Sequence, residues 1–261
     1  MKIYLFIIYC LLSSFNYSQI IEVKNIVGEA IISGNMSPND AKIEAINNAK
    51  LKALQKAGIE ENISSYQTLY SNQKNNDFSQ FFSNDIQSEM RGAVKKYDIV
   101  KEQIIQKNIN ELVSEVTINA EIIKYNTLPD YSFKAKVEGV KSAYNKNDNL
   151  KFEITVTHDS YLQIFNINDS ETSLFYPNIY EKQILIKANT VLKFPISNIA
   201  YQLDTEKKIE INRLIFVFTK SNIPYINMDK NQSTNQEDIF SWIYSLPPEI
   251  RTTEYKSFIL E

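Results

Sequence analysis

Five glycines in 261 residues, none beyond Gly139, set the tightest limit on how this chain can turn. Glycine is the default wherever the backbone needs a positive φ. A second half without it must use asparagine and aspartate at its turns. The five are Gly28, Gly34, Gly58, Gly92 and Gly139, and no two are spaced as G-x-G. The glycine-rich loops that hold dinucleotides or nucleotide phosphates are therefore excluded. Cys10 is the only cysteine and His158 the only histidine. This excludes thiol catalysis, a disulfide framework and a Cys/His metal cluster, and no cofactor or metal is expected. The 28 basic and 31 acidic residues nearly balance, with a net charge of -3. That argues against nucleic acid as the main ligand, because phosphate neutralisation needs a basic excess or stripe.

The first residues read as an address. Met1-Lys2 gives a positive start, Ile3 to Leu12 is almost wholly apolar, and Ser13 to Gln19 is small and polar. This is the order of a secretory signal peptide over residues 1–18, cut after Ser18. The apolar run is about half the roughly 20 residues a membrane helix needs. Tyr9 before Cys10 and Leu11-Leu12 after it do not suit a lipid-modified cysteine, so Cys10 goes with the removed peptide. The mature chain then has no cysteine and 27 basic against 31 acidic residues, a charge of -4. An exported protein, periplasmic or associated with the outer envelope, is expected, with no transmembrane helix in its mature form.

The remainder divides at Asn126 to Asp130. Before it, over residues 19–126, the pattern is α+β. Ile20 to Ser33 reads as a strand with Ile26, Gly28, Ala30 and Ile32 on one face. Ser37, Pro38 and Asp40 open a helix that Gly58 closes. Ala41, Ala45, Ala49, Ala53 and Ala57 form a smooth ridge along it, suited to packing on a sheet or, alternatively, to helix pairing between subunits. Tyr66, Thr68 and Tyr70 suggest a short strand. Asp77 caps a second helix, with Phe78, Phe81, Phe82, Ile86 and Met90 on its apolar face and Gly92 at its stop. A hairpin follows, with arms Tyr97–Gln106 and Glu111–Ile123. In the second arm Val116, Ile118, Ala120 and Ile122 alternate with polar residues.

Over residues 131–261 nearly everything reads as strand. Alternating runs start at Tyr131 and Leu150, and Tyr161–Ile167, Leu174–Tyr176, Val191–Ile196 and Ile209–Phe218 continue the series. Asn145 to Asn149 is a turn cluster. Short strands at this spacing suggest an antiparallel β-sandwich. Thr234 with Glu237 predicts a capping box for a C-terminal helix carrying Ile239, Trp242, Ile243 and Leu246. Pro247-Pro248 end it, and Glu254 to Leu260 suits a last strand.

Catalytic chemistry finds little footing. His158 lies in a turn with Asp159 and Ser160, but adjacent residues do not face one another as a triad requires. Ser71 and Lys74 match S-x-x-K within an asparagine-rich tract. The Asn145–Asn149 and Asn168–Glu171 turns are oxygen-rich without the full spacing of a calcium loop. Acidic pairs for glycan hydrolysis cannot be ranked among 31 carboxylates. No catalytic, cofactor or metal residue is assigned.

Asp159-Ser160-Tyr161-Leu162-Gln163-Ile164-Phe165, Leu174-Phe175-Tyr176-Pro177-Asn178, Leu192-Lys193-Phe194-Pro195-Ile196 and Ile215-Phe216-Val217-Phe218-Thr219 carry a resemblance. Together they make the second half resemble the envelope-associated domain of unknown function forty-three eighty-four, over about residues 145–225. Gly28-Glu29-Ala30, the helix ending Ala57-Gly58-Ile59 and Tyr97-Asp98-Ile99-Val100-Lys101-Glu102 make the first half similar to the N-terminal domain of flagellar assembly protein T and the LPP-twenty lipoproteins. These resemblances imply exported envelope proteins that assemble on other proteins, and they supply no catalytic residues. The expected function is a non-catalytic envelope module for protein assembly or recognition, with an envelope protein as partner. The alternatives are a secreted carboxylate-dependent glycan hydrolase and a small-ligand-binding protein.

Overall fold

The computed structural model describes residues 19–34, 36–59, 91–109, 111–168, 171–226 and 235–261. The expected leader with Cys10, the 66–70 strand, the 77–91 helix up to Met90, Ser71, Lys74 and Thr234 lie outside them. The fold is α+β and mostly β.

The first sheet has three antiparallel strands in the order β1-β3-β2: β1 (Gln19–Ile32), β2 (Gly92–Asn108) and β3 (Glu111–Lys124). The imperfect alternation of β1 has a local cause. A bulge between Val23 and Ile26 puts Asn25 at φ 56°, and the Asn25 N–H donates to Asn119 Oδ1 at 2.9 Å. The extra residue returns Val23 and Ile26 to the same buried face.

Helix α1 (Pro38–Lys56) begins with the expected capping box. The Ser37 hydroxyl accepts from the Asp40 N–H at 3.1 Å, while the Asp40 carboxylate accepts from the Ser37 N–H. Gly58 takes φ 76° beyond its end. The alanine ridge faces the chain's own sheet: Ala41, Ala45, Ala49 and Ala53 are fully buried, so no subunit-pairing face remains there. Gly28 completes the contact. A Cβ at Gly28 would lie 2.0 Å from the Ala45 carbonyl oxygen and 2.4 Å from the Ala49 nitrogen. The polar side of α1 also protects the edge strand β1, since Asn48 Nδ2 and Lys52 Nζ donate to the Glu29 and Val27 carbonyls at 2.8 Å each.

Strand β2 starts five residues before the expected Tyr97. Gly92 is its first residue, where the backbone runs too close to its neighbours for a side chain. An added Cβ would be 2.3 Å from the Ile123 carbonyl oxygen and 2.4 Å from Ile59 Cδ1. Lys95 and Lys96 hide this start in the sequence, and three register shifts along β2 break its alternation.

The second half contributes β4 (Ala135–Glu138), β5 (Ala143–Tyr144), β6 (Phe152–Val156), β7 (Tyr161–Ile167), β8 (Thr172–Tyr176), β9 (Leu192–Phe194) and β10 (Glu210–Thr219). After them come α2 (Gln236–Ser245), a 3₁₀ turn (Pro248–Ile250) and β11 (Arg251–Leu260). They form a three-stranded sheet, β4-β6-β9, and a five-stranded sheet, β5-β11-β10-β7-β8. Three starts differ from expectation. The first strand opens at Ala135 rather than Tyr131, because Asp130 Oδ1 accepts from the Ser132 N–H and hydroxyl and turns the chain there. The cap of α2 is Asn235, whose side chain accepts from the Asp238 N–H at 2.8 Å, in place of the expected Thr234–Glu237 box. The last strand opens at Arg251, three residues before Glu254. Asparagine serves the positive-φ turns as expected, at Asn147 (φ 73°) and Asn189 (φ 58°).

Two buried clusters hold these layers. Phe152, Ile154 and Phe194 from the three-stranded sheet share one with Leu162, Ile164, Leu214, Phe216 and Phe218 from the five-stranded sheet. The opposite face of that larger sheet, with Phe165, Ile167, Ile215 and Val217, belongs to the other cluster. There it joins Ile239, Phe240 and Ile243 of α2 and the core between α1 and the first sheet. The Leu214–Phe218 run is therefore apolar at every position because both faces of β10 are covered.

Replacing Gly28 with Ala drives a methyl into the α1 backbone. A loss of about 3 kcal/mol is expected, at the upper end of ordinary overpacking, read as a lower urea midpoint with an unchanged m-value.

Candidate recognition surfaces

The single histidine does not form a catalytic unit with its neighbours. His158 Nδ1 lies 3.1 Å from Thr157 Oγ1, its Nε2 lies 4.0 Å from Asp130 Oδ2, and its ring meets Phe133 edge-on. Asp159 instead accepts from Lys187 Nζ and the Ala188 N–H, both at 2.8 Å. Ser160 is fully buried, and its backbone pairs with Ile186. The three residues make separate contacts, and the buried Ser160 hydroxyl meets neither His158 nor Asp159. Asp130, which faces His158, is already neutralised by Lys220 Nζ at 2.5 Å. That contact and the two bonds from Ser132 hold its carboxyl far below the usual range.

The two oxygen-rich turns are used internally. Asp148 Oδ2 accepts from the Asn145 N–H at 3.0 Å, and Asn168 Oδ1 from the Glu171 N–H at 2.8 Å. Among the described residues no group of three or more metal-ligating side chains converges, and no helix is long and apolar enough to cross a membrane.

Among the described residues the buried acids are Glu181 and Glu210, and they sit in separate networks. Glu210 Oε1 accepts from Asn212 Nδ2 at 2.9 Å and Asn168 Nδ2 at 3.3 Å. Glu181 organises a corner after β8. Its Oε1 accepts from the Ser197 N–H (2.6 Å) and hydroxyl (2.7 Å), and its Oε2 from the Tyr201 hydroxyl (2.9 Å). Asn178 closes the same corner. Its Oδ1 accepts from the N–H groups of Tyr180 and Glu181 at 2.9 Å each, and its Nδ2 donates to the Phe175 carbonyl and the Tyr201 hydroxyl. Phe194 stacks between Phe152 (4.4 Å) and Tyr201 (5.0 Å) beneath it. Burial pushes the Tyr176 and Tyr201 hydroxyls up to about 12.

This rigid base presents two side chains outward: Ile179 is 86% and Tyr180 73% exposed. Sequence reading missed both and missed Glu181. The signal was present, because from Thr172 to Leu203 Glu181 is the only acid.

A second apolar surface lies at the far end of the first sheet. Helix α1 covers β1 and β3 and touches β2 little. Ile104 (55% exposed), Ile109 (91%), Leu112, Val100 and Ile31 are left in water. The register sets Ile31, Val113 and Ile105 side by side on one face, while Ile104 and Leu112 stand on the other. Charged contacts rim this end: Lys42–Glu102 at 2.6 Å, Lys107–Glu29, and Gln103 Nε2 to Glu115 Oε1 at 2.6 Å. An aliphatic centre with a polar rim is the anatomy of a protein-binding patch.

Two outcomes test the corner. Glu181→Gln turns an amide donor toward groups that already donate, and a loss of about 2–3 kcal/mol is expected in denaturant unfolding. The raised Tyr176 and Tyr201 values also give a pH dependence. Each hydroxyl binds its proton more tightly when folded than at the ordinary value near 10. Their contribution is complete below pH ~10 and is lost as pH rises toward 12. The thermal midpoint should fall across that window, and less steeply in Tyr201→Phe.

Residues 143–222 match the family described as Domain of unknown function (DUF4384), while no curated protein matches the chain. The matched span holds β5 to β10 and the whole Glu181 corner, and it stops before α2 and β11.

Proposed function

We propose that this is an exported, non-catalytic protein of the cell envelope that acts as an assembly or recognition module, with a protein partner engaging the open end of the first sheet. The observation that carries the reading is the exposed aliphatic group of Ile104 and Leu112 on paired strands and Ile109 in the turn between them, bordered on the Ile104 face by the Lys42–Glu102 ion pair. Isolated exposed apolar residues are ordinary on any surface, whereas a group of them on rigid strands with a charged border favours binding. The leader-like residues 1–18 support export.

Within this reading, residues 131–261 form a β-sandwich, its two layers being the three-stranded and five-stranded sheets that share a buried cluster. Residues 19–126 form the α+β unit similar to the flagellar assembly protein T and LPP-twenty domain. Nucleic acid is not a partner of so nearly balanced a chain.

The test is in-cell crosslinking of the tagged protein, followed by envelope fractionation and mass spectrometry. One recurrent envelope protein is expected, crosslinked through Val100–Leu112. Ile104→Asp with Leu112→Asp should lower its capture by about tenfold, the scale for losing two central apolar contacts. The N-terminal residue of the purified protein should be Gln19. A protein retained in the cytoplasm with Met1 intact, or a capture indifferent to both substitutions, overturns the proposal.

A further inference from the structure

The Glu181 corner has a surface chemistry opposite to that of the chain as a whole. The protein is acidic, with a net charge of -3. Yet from Thr172 to Leu203 the charged side chains are Glu181, Lys182, Lys187 and Lys193. Glu181 is buried, with its carboxylate consumed by Ser197 and Tyr201. The solvent side of this stretch therefore carries only cations. Lys187 is met by Asp159 at 2.8 Å and Lys193 by Glu153 at 3.9 Å, both contacts well exposed to water. Lys182 makes no ion pair among the described residues. Beside it project Ile179 and Tyr180, on a turn that Asn178 locks from both ends of its amide.

We propose that this corner docks on an anionic phospholipid surface, with Ile179 entering the acyl boundary, Tyr180 at the headgroup level and Lys182 against the phosphates. Three features favour a bilayer over a protein pocket. The tip is a few highly solvated side chains, whereas a protein interface of stable size draws on a broad complementary patch. An aliphatic side chain next to a tyrosine and a lysine matches the layering of apolar, amphipathic and cationic groups across a membrane interface. The acid that would be repelled by an anionic surface is the one the fold turns inward. The rigid base lowers the entropy that docking would otherwise cost. This surface is separate from the open end of the first sheet, and the inference does not depend on that reading.

The test is cosedimentation of the full chain, purified as its host processes it, with vesicles of phosphatidylglycerol and phosphatidylcholine or of phosphatidylcholine alone. Binding is expected to the anionic vesicles and to fall with salt. Ile179→Ser and Lys182→Glu should each weaken it by about tenfold, as expected for one buried aliphatic side chain or one reversed charge. Both residues are exposed, so the variants keep the wild-type unfolding curve, and comparison with wild type cancels any contribution of the first eighteen residues. Ile104→Asp with Leu112→Asp should leave vesicle binding unchanged, which separates this outcome from that of the assembly reading. Failure to bind anionic vesicles, or binding indifferent to both corner substitutions, overturns the proposal. So does a photocrosslinker at position 180 that captures a protein while the vesicles capture nothing.

Discussion

A buried arginine ties the two halves of this chain together. Arg251, at the start of β11, donates from its guanidinium to the Ile243 carbonyl in the last turn of α2 and to the Tyr125 hydroxyl at 3.1 Å. Tyr125 follows β3 directly and its hydroxyl donates to the Tyr244 carbonyl at 3.0 Å. The end of β3 and the α2–β11 connection, more than a hundred residues apart in sequence, thus meet on one buried cation and one buried phenol. The C-terminus of a helix carries partial negative charge on its unpaired carbonyls, so α2 supplies what a carboxylate would otherwise supply. Burial raises the Tyr125 hydroxyl, with Arg251 opposing. That keeps it protonated, and so able to donate to the helix while accepting from the guanidinium.

The position of α2 follows from this contact, and with it the continuity of the larger core. Ile239 and Ile243 of α2 are fully buried beside Phe165 and Val217 of the five-stranded sheet and the residues under α1. A second tether lies nearer the start of α2, where the Tyr97 hydroxyl donates to Glu237 at 3.1 Å and Lys50 Nζ sits 4.2 Å from the Tyr97 ring centroid. Burial pulls the Lys50 ammonium down to about 8, with Glu237 opposing. Strand β2, helix α1 and helix α2 are thereby joined by a polar contact at the rim of an apolar core. Such contacts fix register where hydrophobic packing alone leaves elements free to slide.

Much of this was legible in residue patterns. The alanine ridge and Gly28 announce a close helix–sheet contact because only small residues permit it, and Asn147 and Asn189 take the left-handed turns that missing glycines leave open. The Ile209–Phe218 run reads as a strand, and β10 (Glu210–Thr219) is that strand, although the covering of both its faces was not read from it. What stayed hidden depended on partners distant in sequence. Nothing near Arg251 reveals that Tyr125, 126 residues away, will face it. Nothing near Glu181 reveals Ser197 and Tyr201, sixteen and twenty residues away. The start of β2 was obscured by two lysines on an edge strand, where charge serves to discourage unwanted pairing.

The two proposed surfaces rest on one physical asymmetry. A folded chain gains by hiding aliphatic groups and leaving carboxylates in water. At the Glu181 corner the order is reversed: the acid is inside and Ile179 is outside. Three hydrogen bonds compensate the carboxylate for lost water, so the inversion costs little once formed, but the same turn without Glu181 would leave the Ser197 and Tyr201 donors without their acceptor. Exposure of Ile179 brings no comparable return within the molecule. At the far end of the first sheet, exposed Ile104 and Leu112 likewise stand on strands held to each other by the β2–β3 backbone ladder. In both places the intramolecular interactions are complete without the exposed apolar groups. Their free energy is left available to whatever surface comes against them.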